Sequence, residues 1–319
     1  MERSLAYQCL RASLIGVAAA AVIAPAGAGA ATTVGSTFDP SGSSCSTNFL
    51  VLQPSSPADL YVVPSAGVLT SWSFQASNQT PPNVKLVVAR ATANVDEFYI
   101  VAHSAIKSPV AGTTNTYTDI SIPVLAGDFL GLRTSSFGDC GNLSGGAGYV
   151  SRYSSQDPAP DTTFGFPALA TDDIRIDISA SLEADFDGDG LGDETQDEDD
   201  DGDGVTDLSD GCPLLGAKTP SGCPPVTRSL TLTYSKAKKA FKGTVGSSEP
   251  ACVGTGRVTV WKQAGGNDRK IGAGSVNAQG TYVVSKRRRP GRYYSTVGAR
   301  VVPDVAACGA AASPKLRLR

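Results

Sequence analysis

The sequence predicts an all-β chain of 319 residues, two β-sandwich domains joined by an acidic connector. Three observations carry that expectation. Residues 31–182 hold runs in which apolar and polar side chains alternate, the period of two that marks half-buried strands, and residues 224–319 hold about seven short strand-like runs in under a hundred residues. Clusters rich in Gly, Pro, Ser, Asn and Asp, such as SNQTPPN and SSQDPAPDTT, separate these runs, and no sustained helical period occurs after the first thirty residues. The net charge of −3 is strongly segregated: residues 31–182 hold six basic and twelve acidic groups, residues 183–210 hold fourteen acidic and no basic groups, and residues 226–319 hold eighteen basic and three acidic groups. Three charge characters in succession mark two domains and a connector.

Residues 1–30 have the form of an export signal. Arg3 and Arg11 lie ahead of or beside the apolar run SLIGVAAAAVIA, which ends in small residues with Ala28 and Ala30 at the −3 and −1 positions. The run is short for a membrane span, and no second long apolar stretch follows. There is no lipidation Cys at the cleavage point and no LPxTG-like tail. The expectation is a secreted, extracellular or cell-surface protein with no membrane span after signal removal.

Residues 31–182 read as a β-sandwich, jelly-roll-like. In VLTSWSFQ, Val68, Thr70, Trp72 and Phe74 share one face. In TDISIPV, Thr118, Ile120, Ile122 and Val124 do so, and in IRIDISASLEA the inward set is Ile174, Ile176, Ile178, Ala180 and Leu182. Many short antiparallel strands close most simply as two packed sheets.

Residues 183–223 form the connector, and its acids are not scattered. Asp185, Asp187 and Asp189 alternate, followed by Gly190 and then Asp193. Asp199, Asp201 and Asp203 alternate, followed by Gly204 and then Asp207 and Asp210. Calcium explains this spacing, because a hard cation with six to eight oxygen ligands needs several carboxylates on one tight loop. Positions 1, 3 and 5 offer side-chain oxygens, Gly at position 6 permits the sharp turn, and position 7, here Leu191 and Val205, offers a backbone carbonyl. Positions 9 and 12 complete the shell. The first loop has Gln196 at position 12, with a carboxylate only at Asp197, so the second loop is expected to bind more tightly. The alternative is a solvated acidic linker, which gives no reason for Gly at position 6 twice.

An EF-hand or a dockerin needs a helix after the loop, and Gly211-Cys212-Pro213 would stop one. The string from Asp199 through Pro213 instead resembles the thrombospondin type 3 repeat, D-x-D-x-D-G-x-x-D-x-x-D-x-C-P, over about thirty residues of the chain. That resemblance implies repeats wrapped around calcium ions and held by disulfides, in a family associated with adhesion.

Residues 224–319 give seven short runs: RSLTLTY, AFKGTVG, RVTVWKQ, KIGAGSV, GTYVVSK, GRYYSTVGARV and PKLRLR. Their spacing fits an immunoglobulin-like sandwich, and VNAQGTYVV followed by GRYYSTV resembles carboxypeptidase-regulatory-like and related modules of secreted bacterial proteins.

Six cysteines remain after Cys9 leaves with the signal, two in each segment, and an oxidising compartment makes disulfides the default. The layout predicts Cys45–Cys140, Cys212–Cys223 and Cys252–Cys308. A zinc site would need a tight Cys-x-x-Cys and a nearby His, which are lacking.

The remaining polar features are weaker. His103, the only His, reads as a strand residue more readily than a catalytic base, and no G-x-S-x-G elbow accompanies it. Asp172-Asp173 reads as a polar turn. Asn78-Gln79-Thr80 and Asn142-Leu143-Ser144 match glycosylation acceptors, triplets that also arise by chance. Lys286-Arg287-Arg288-Arg289 precedes Pro290-Gly291 and reads as a solvated hairpin turn or as a patch for an anionic cell-envelope polymer; nucleic acid is not expected as a partner of an exported chain. The functional expectation is a calcium-binding, non-catalytic adhesion or recognition protein. Glycan is the leading ligand of the first domain, through aromatics such as Trp72 or Tyr153, with Trp72 also read as a core residue. The alternative is a secreted glycan-active hydrolase, which needs two facing carboxylates that no motif marks.

Overall fold

A computed structural model describes residues 30–40, 44–79, 81–142, 148–166, 170–172, 174–254, 256–287 and 289–319. The export signal through residue 29, Thr80, the Leu143-Ser144 pair, Asp173 and Arg288 lie outside the described residues. The described residues are all-β: strands make up 46% of the structure, and among the described residues there is no helix of seven or more residues. Among the described residues no helix is long and apolar enough to cross a membrane.

The first sheet runs Thr32–Ser36, Ile178–Glu183, Gly67–Gln75, and the last strand takes both Thr114–Tyr117 and Ile122–Val124 on its far side. The second has seven strands in the order Thr162–Gly165, Glu97–His103, Val84–Ala91, Phe129–Thr134, Phe49–Ser55, Val150–Ser154, Ala170–Asp172. Trp72, Phe74, Ile178, Ala180 and Leu182 from the first sheet share one apolar cluster with Leu86, Val88, Leu130 and Leu132 from the second, so the two sheets face each other across a common core. The seven-stranded sheet is apolar on its other side as well, where Val87, Ala89, Ile100 and Phe129 pack under Phe166. That is why Val84–Arg90 gives an almost unbroken buried run rather than an alternating one.

Gly67–Gln75 departs from simple alternation. Its pairing with Ile178–Glu183 shifts register between Ser181 and Leu182, so Leu69 stands opposite Leu182 and Trp72 opposite Ala180. This irregularity changes the inward set. Leu69, not Val68, joins Trp72 and Phe74 in the core cluster, and Thr70 is freed to bond Glu183.

Past residue 224 each of the seven expected runs contains strand. Arg228–Leu230 and Thr233–Ser235 flank one side of Ala240–Ser247, and Thr281–Ser285 takes the other. The facing sheet runs Arg269–Ser275, Arg257–Lys262, Gly291–Val297, then Ala311–Ala312 and Leu316–Leu318. Phe241, Val245, Tyr282 and Val284 meet Val258, Val260, Tyr293 and Val297 between them. Among the described residues no strand of 32–183 pairs with one of 225–318. The three cysteine pairs are Cys45–Cys140, Cys212–Cys223 and Cys252–Cys308, with Cα separations of 5.7, 5.0 and 5.5 Å, each inside one segment of the chain.

Candidate metal centre

Residues 184–224 contain no strand, and their backbone is organised by carboxylates. Asp185 and Asp199 are fourteen residues apart, and the hydrogen bonds around them repeat at that interval. Leu191 N–H donates to Asp189 Oδ1 and Val205 N–H to Asp203 Oδ1, each at 2.8 Å. Asp189 N–H reaches Asp187 Oδ1 at 3.0 Å, and Asp203 N–H reaches Asp201 Oδ1 at 3.2 Å. Phe186 N–H donates to Asp193 Oδ1 at 3.0 Å, and Asp200 N–H to Asp207 Oδ1 at 3.1 Å. Asp193 N–H and Asp207 N–H close the loops on the Ala184 and Glu198 carbonyls. Two turns of the same construction therefore stand in series. The glycines at position 6, Gly190 and Gly204, have φ of 90° and 96°, a region that a β-carbon disfavours.

This folding brings carboxylates together. Ligand-capable oxygens of Asp185, Asp187 and Asp189 lie within 4.8 Å of one another, and so do those of Asp199, Asp201 and Asp203. A third group, Asp193, Asp197 and Asp200, meets the same limit and joins the two loops. Asp207 and Asp210 belong to none of these groups. Asp207 caps the Asp200 amide, and Asp210 accepts from Cys212 N–H at 2.6 Å beside the Cys212–Cys223 link. Leu191 and Val205 enter through the main chain, their amides held by Asp189 and Asp203.

Asp200 was not legible as a ligand candidate, because it breaks the alternation; its counterpart fourteen residues earlier is the apolar Phe186. It is 5% exposed, and Asp193 is 8% exposed. Burial, then the neighbouring Asp207, Asp193 and Asp197, push the Asp200 carboxyl up to about 7. Burial and Asp203 push Asp201 up to about 6, and burial raises Asp193. Asp199 Oδ1, Asp200 Oδ1, Asp201 Oδ2 and Asp210 Oδ2 are buried oxygens without a hydrogen-bond partner. Buried acceptors in that condition are costly. Several anionic oxygens converging with no donor match what a hard divalent cation requires.

Other acids of the stretch do different work. Glu183, 3% exposed, accepts from Thr70 Oγ1 at 2.6 Å, from the Glu194 and Thr195 amides at 3.2 and 2.9 Å, and from Thr195 Oγ1. Gln196 donates from Nε2 to the Ile120 carbonyl at 2.8 Å, Ser121 Oγ donates to the Gly190 carbonyl, and Ala31 N–H reaches Glu194 Oε2. Gln196 thus fastens the first loop to the sandwich instead of completing its ligand shell. At the far end Asp304 N–H donates to the Gly211 carbonyl at 2.8 Å, and Ala307 N–H to the Pro224 carbonyl at 2.9 Å. Ala217 N–H closes back on Asp203 Oδ2 at 2.9 Å.

His103 ends the strand Glu97–His103 and is half-buried. Lys85 Nζ donates to its Nδ1 at 3.0 Å and also pairs with Asp157, which pairs with Arg133. Burial, then Lys85, lowers the His103 pKa. Trp72 is fully buried and so is a core residue, not a sugar platform, whereas Tyr153 is half-buried and packs on Phe49 with centroids 5.7 Å apart. Asp172 ends a strand, opposite Val150, rather than lying in a turn.

No protein-family model matches the chain, and no curated protein matches it.

Proposed function

We propose that this chain is an exported, calcium-binding, non-catalytic recognition protein whose connector is stiffened by the ion. The convergence of three carboxylates in each of two equivalent loops, with buried oxygens left unpartnered in the second, carries this reading. The ligands are Asp185, Asp187 and Asp189 in the first loop and Asp199, Asp201 and Asp203 in the second, with Leu191 and Val205 contributing main-chain oxygen. Asp193, Asp197 and Asp200 hold an ion between the loops. Asp207 and Asp210 orient the second loop through the amides they accept from.

When bound, calcium supplies charge neutralisation and a fixed coordination shell. The chain supplies rigid ends: Glu183 and Gln196 fasten the connector to one sandwich, and the Gly211 and Pro224 carbonyls fasten it to the other. The signal-like residues 1–30 support export, and three cysteine pairs suit an oxidising compartment. Extracellular calcium modules commonly work at about 10⁻⁴–10⁻³ M, so ambient calcium would keep the sites filled.

Calorimetric titration of the full chain tests the reading. The expected result is saturable calcium binding at or below millimolar concentration, weakened by Asp201→Asn and by Asp187→Asn. Absence of binding in that range would reduce the segment to a solvated linker.

A further inference from the structure

The chain has two tryptophans, and they sit in opposite environments. Trp72 is fully buried, whereas Trp261 is half-buried on the outer side of a sheet. In Arg257–Lys262 the core takes Val258 and Val260, and in Gly291–Val297 it takes Tyr293, Ser295 and Val297. Alternation therefore puts Thr259 and Trp261 on the same outer face as Arg292, Tyr294 and Thr296. Trp261 stands opposite Tyr294, and its Nε1 donates to Thr296 Oγ1 at 2.9 Å, which holds the indole along the sheet.

Cations border these rings. Lys270 stands opposite Trp261 on one side, and Arg292 stands opposite Arg317 on the other. All three are exposed. Like charges directly opposite on antiparallel strands destabilise the pairing. None of the ion pairs found among the described residues involves Lys270, Arg292 or Arg317. An adjoining carboxylate, Asp268, accepts from Tyr294 OH at 2.7 Å and from Ala264 N–H at 3.0 Å. Flat aromatic surface flanked by unneutralised guanidinium groups suits a ligand with both ring faces and anionic groups.

We propose that the Trp261–Tyr294 face binds an acidic polysaccharide, sugar rings lying on the aromatics and ring carboxylates meeting Lys270, Arg292 and Arg317. Asp268 favours a sugar chain over a deoxyribose-phosphate strand: it offers an acceptor to the free hydroxyl groups that every sugar unit carries and that the strand lacks. Guanidinium groups pair with carboxylates in two parallel hydrogen bonds. This site is independent of the calcium reading.

The test uses the full chain in excess chelator, so that calcium cannot bridge the acidic connector to the polymer. Oligogalacturonate, its fully methyl-esterified form and a single-stranded oligonucleotide of equal charge are titrated by calorimetry and indole fluorescence. Oligogalacturonate should bind, with a fluorescence change that Trp261→Phe removes and an affinity that falls as salt rises. The ester should bind about tenfold more weakly or worse, and so should oligogalacturonate to the Arg292→Gln, Arg317→Gln double variant, the scale of one lost charge-assisted hydrogen bond. Both substituted arginines are exposed, so the double variant should unfold at the same temperature as wild type or higher. Equal binding by wild type and the double variant, no binding at millimolar oligogalacturonate, or tighter binding of the oligonucleotide would each overturn the proposal.

Discussion

Asp200 concentrates the energetics of the connector in one side chain. It is buried, faces Asp193 and Asp197, and leaves Oδ1 without a donor. Its carboxyl is pushed up to about 7 in the ion-free protein, with burial the largest cause. A carboxyl whose folded pKa is raised stabilises the fold at low pH, and that contribution is lost as pH rises through about 7. Bound calcium would reverse the sign, because it takes the ionised form. In chelator, wild type should therefore lose stability relative to Asp200→Asn between about pH 4 and 7, whereas saturating calcium should stabilise wild type more as pH rises. Thermal melts of both proteins across that range check this, and parallel pH profiles in chelator would count against it. His103 makes the opposite case. Its pKa is lowered by burial and Lys85, so its contribution is present above the ordinary value of about 6.5 and is lost as pH falls. His103→Asn should flatten the loss of stability between pH 7.5 and 5; an unchanged slope would place the acid sensitivity elsewhere.

At the scale of the element, the loops exist because short side chains cap the amides that a tight turn leaves unpaired. The same loops hold to the first sandwich through Glu183, which accepts from Thr70, Glu194 and Thr195. Glu183→Ala strands those donors and should cost about 2–3 kcal/mol, with faster hydrogen exchange at the Glu194 and Thr195 amides than in the rest of the connector. Uniform exchange across residues 184–210 would mean that Glu183 does not anchor the segment. The two carboxylate clusters, at Asp185–Asp189 and Asp199–Asp203, were legible because alternation and glycine spacing are local rules. The strands of the C-terminal half were legible from the close spacing of seven short runs, each of which contains strand. Three things were not local. The register shift beside Leu182 moves Leu69 inward, a second apolar layer under Phe166 hides the alternation of Val84–Ala91, and Gln196 bonds a carbonyl seventy-six residues away. Asp200 escaped because its partners come from the other loop.

At the scale of the molecule, two facing-sheet units lie on either side of a segment with no strand of its own. Each sandwich keeps its own core, and each cysteine pair closes within its segment. Fourteen acids with few apolar neighbours bury too little surface to hold the segment by packing alone, so neutralisation by calcium would set its stiffness. Small-angle scattering of the full chain, recorded in millimolar calcium and again in chelator at pH 8, tests that claim most directly. The account predicts a smaller radius of gyration and a narrower distance distribution in calcium, reversed on chelation, with the β-sheet circular dichroism of both sandwiches unchanged. Identical scattering profiles with and without calcium would contradict it.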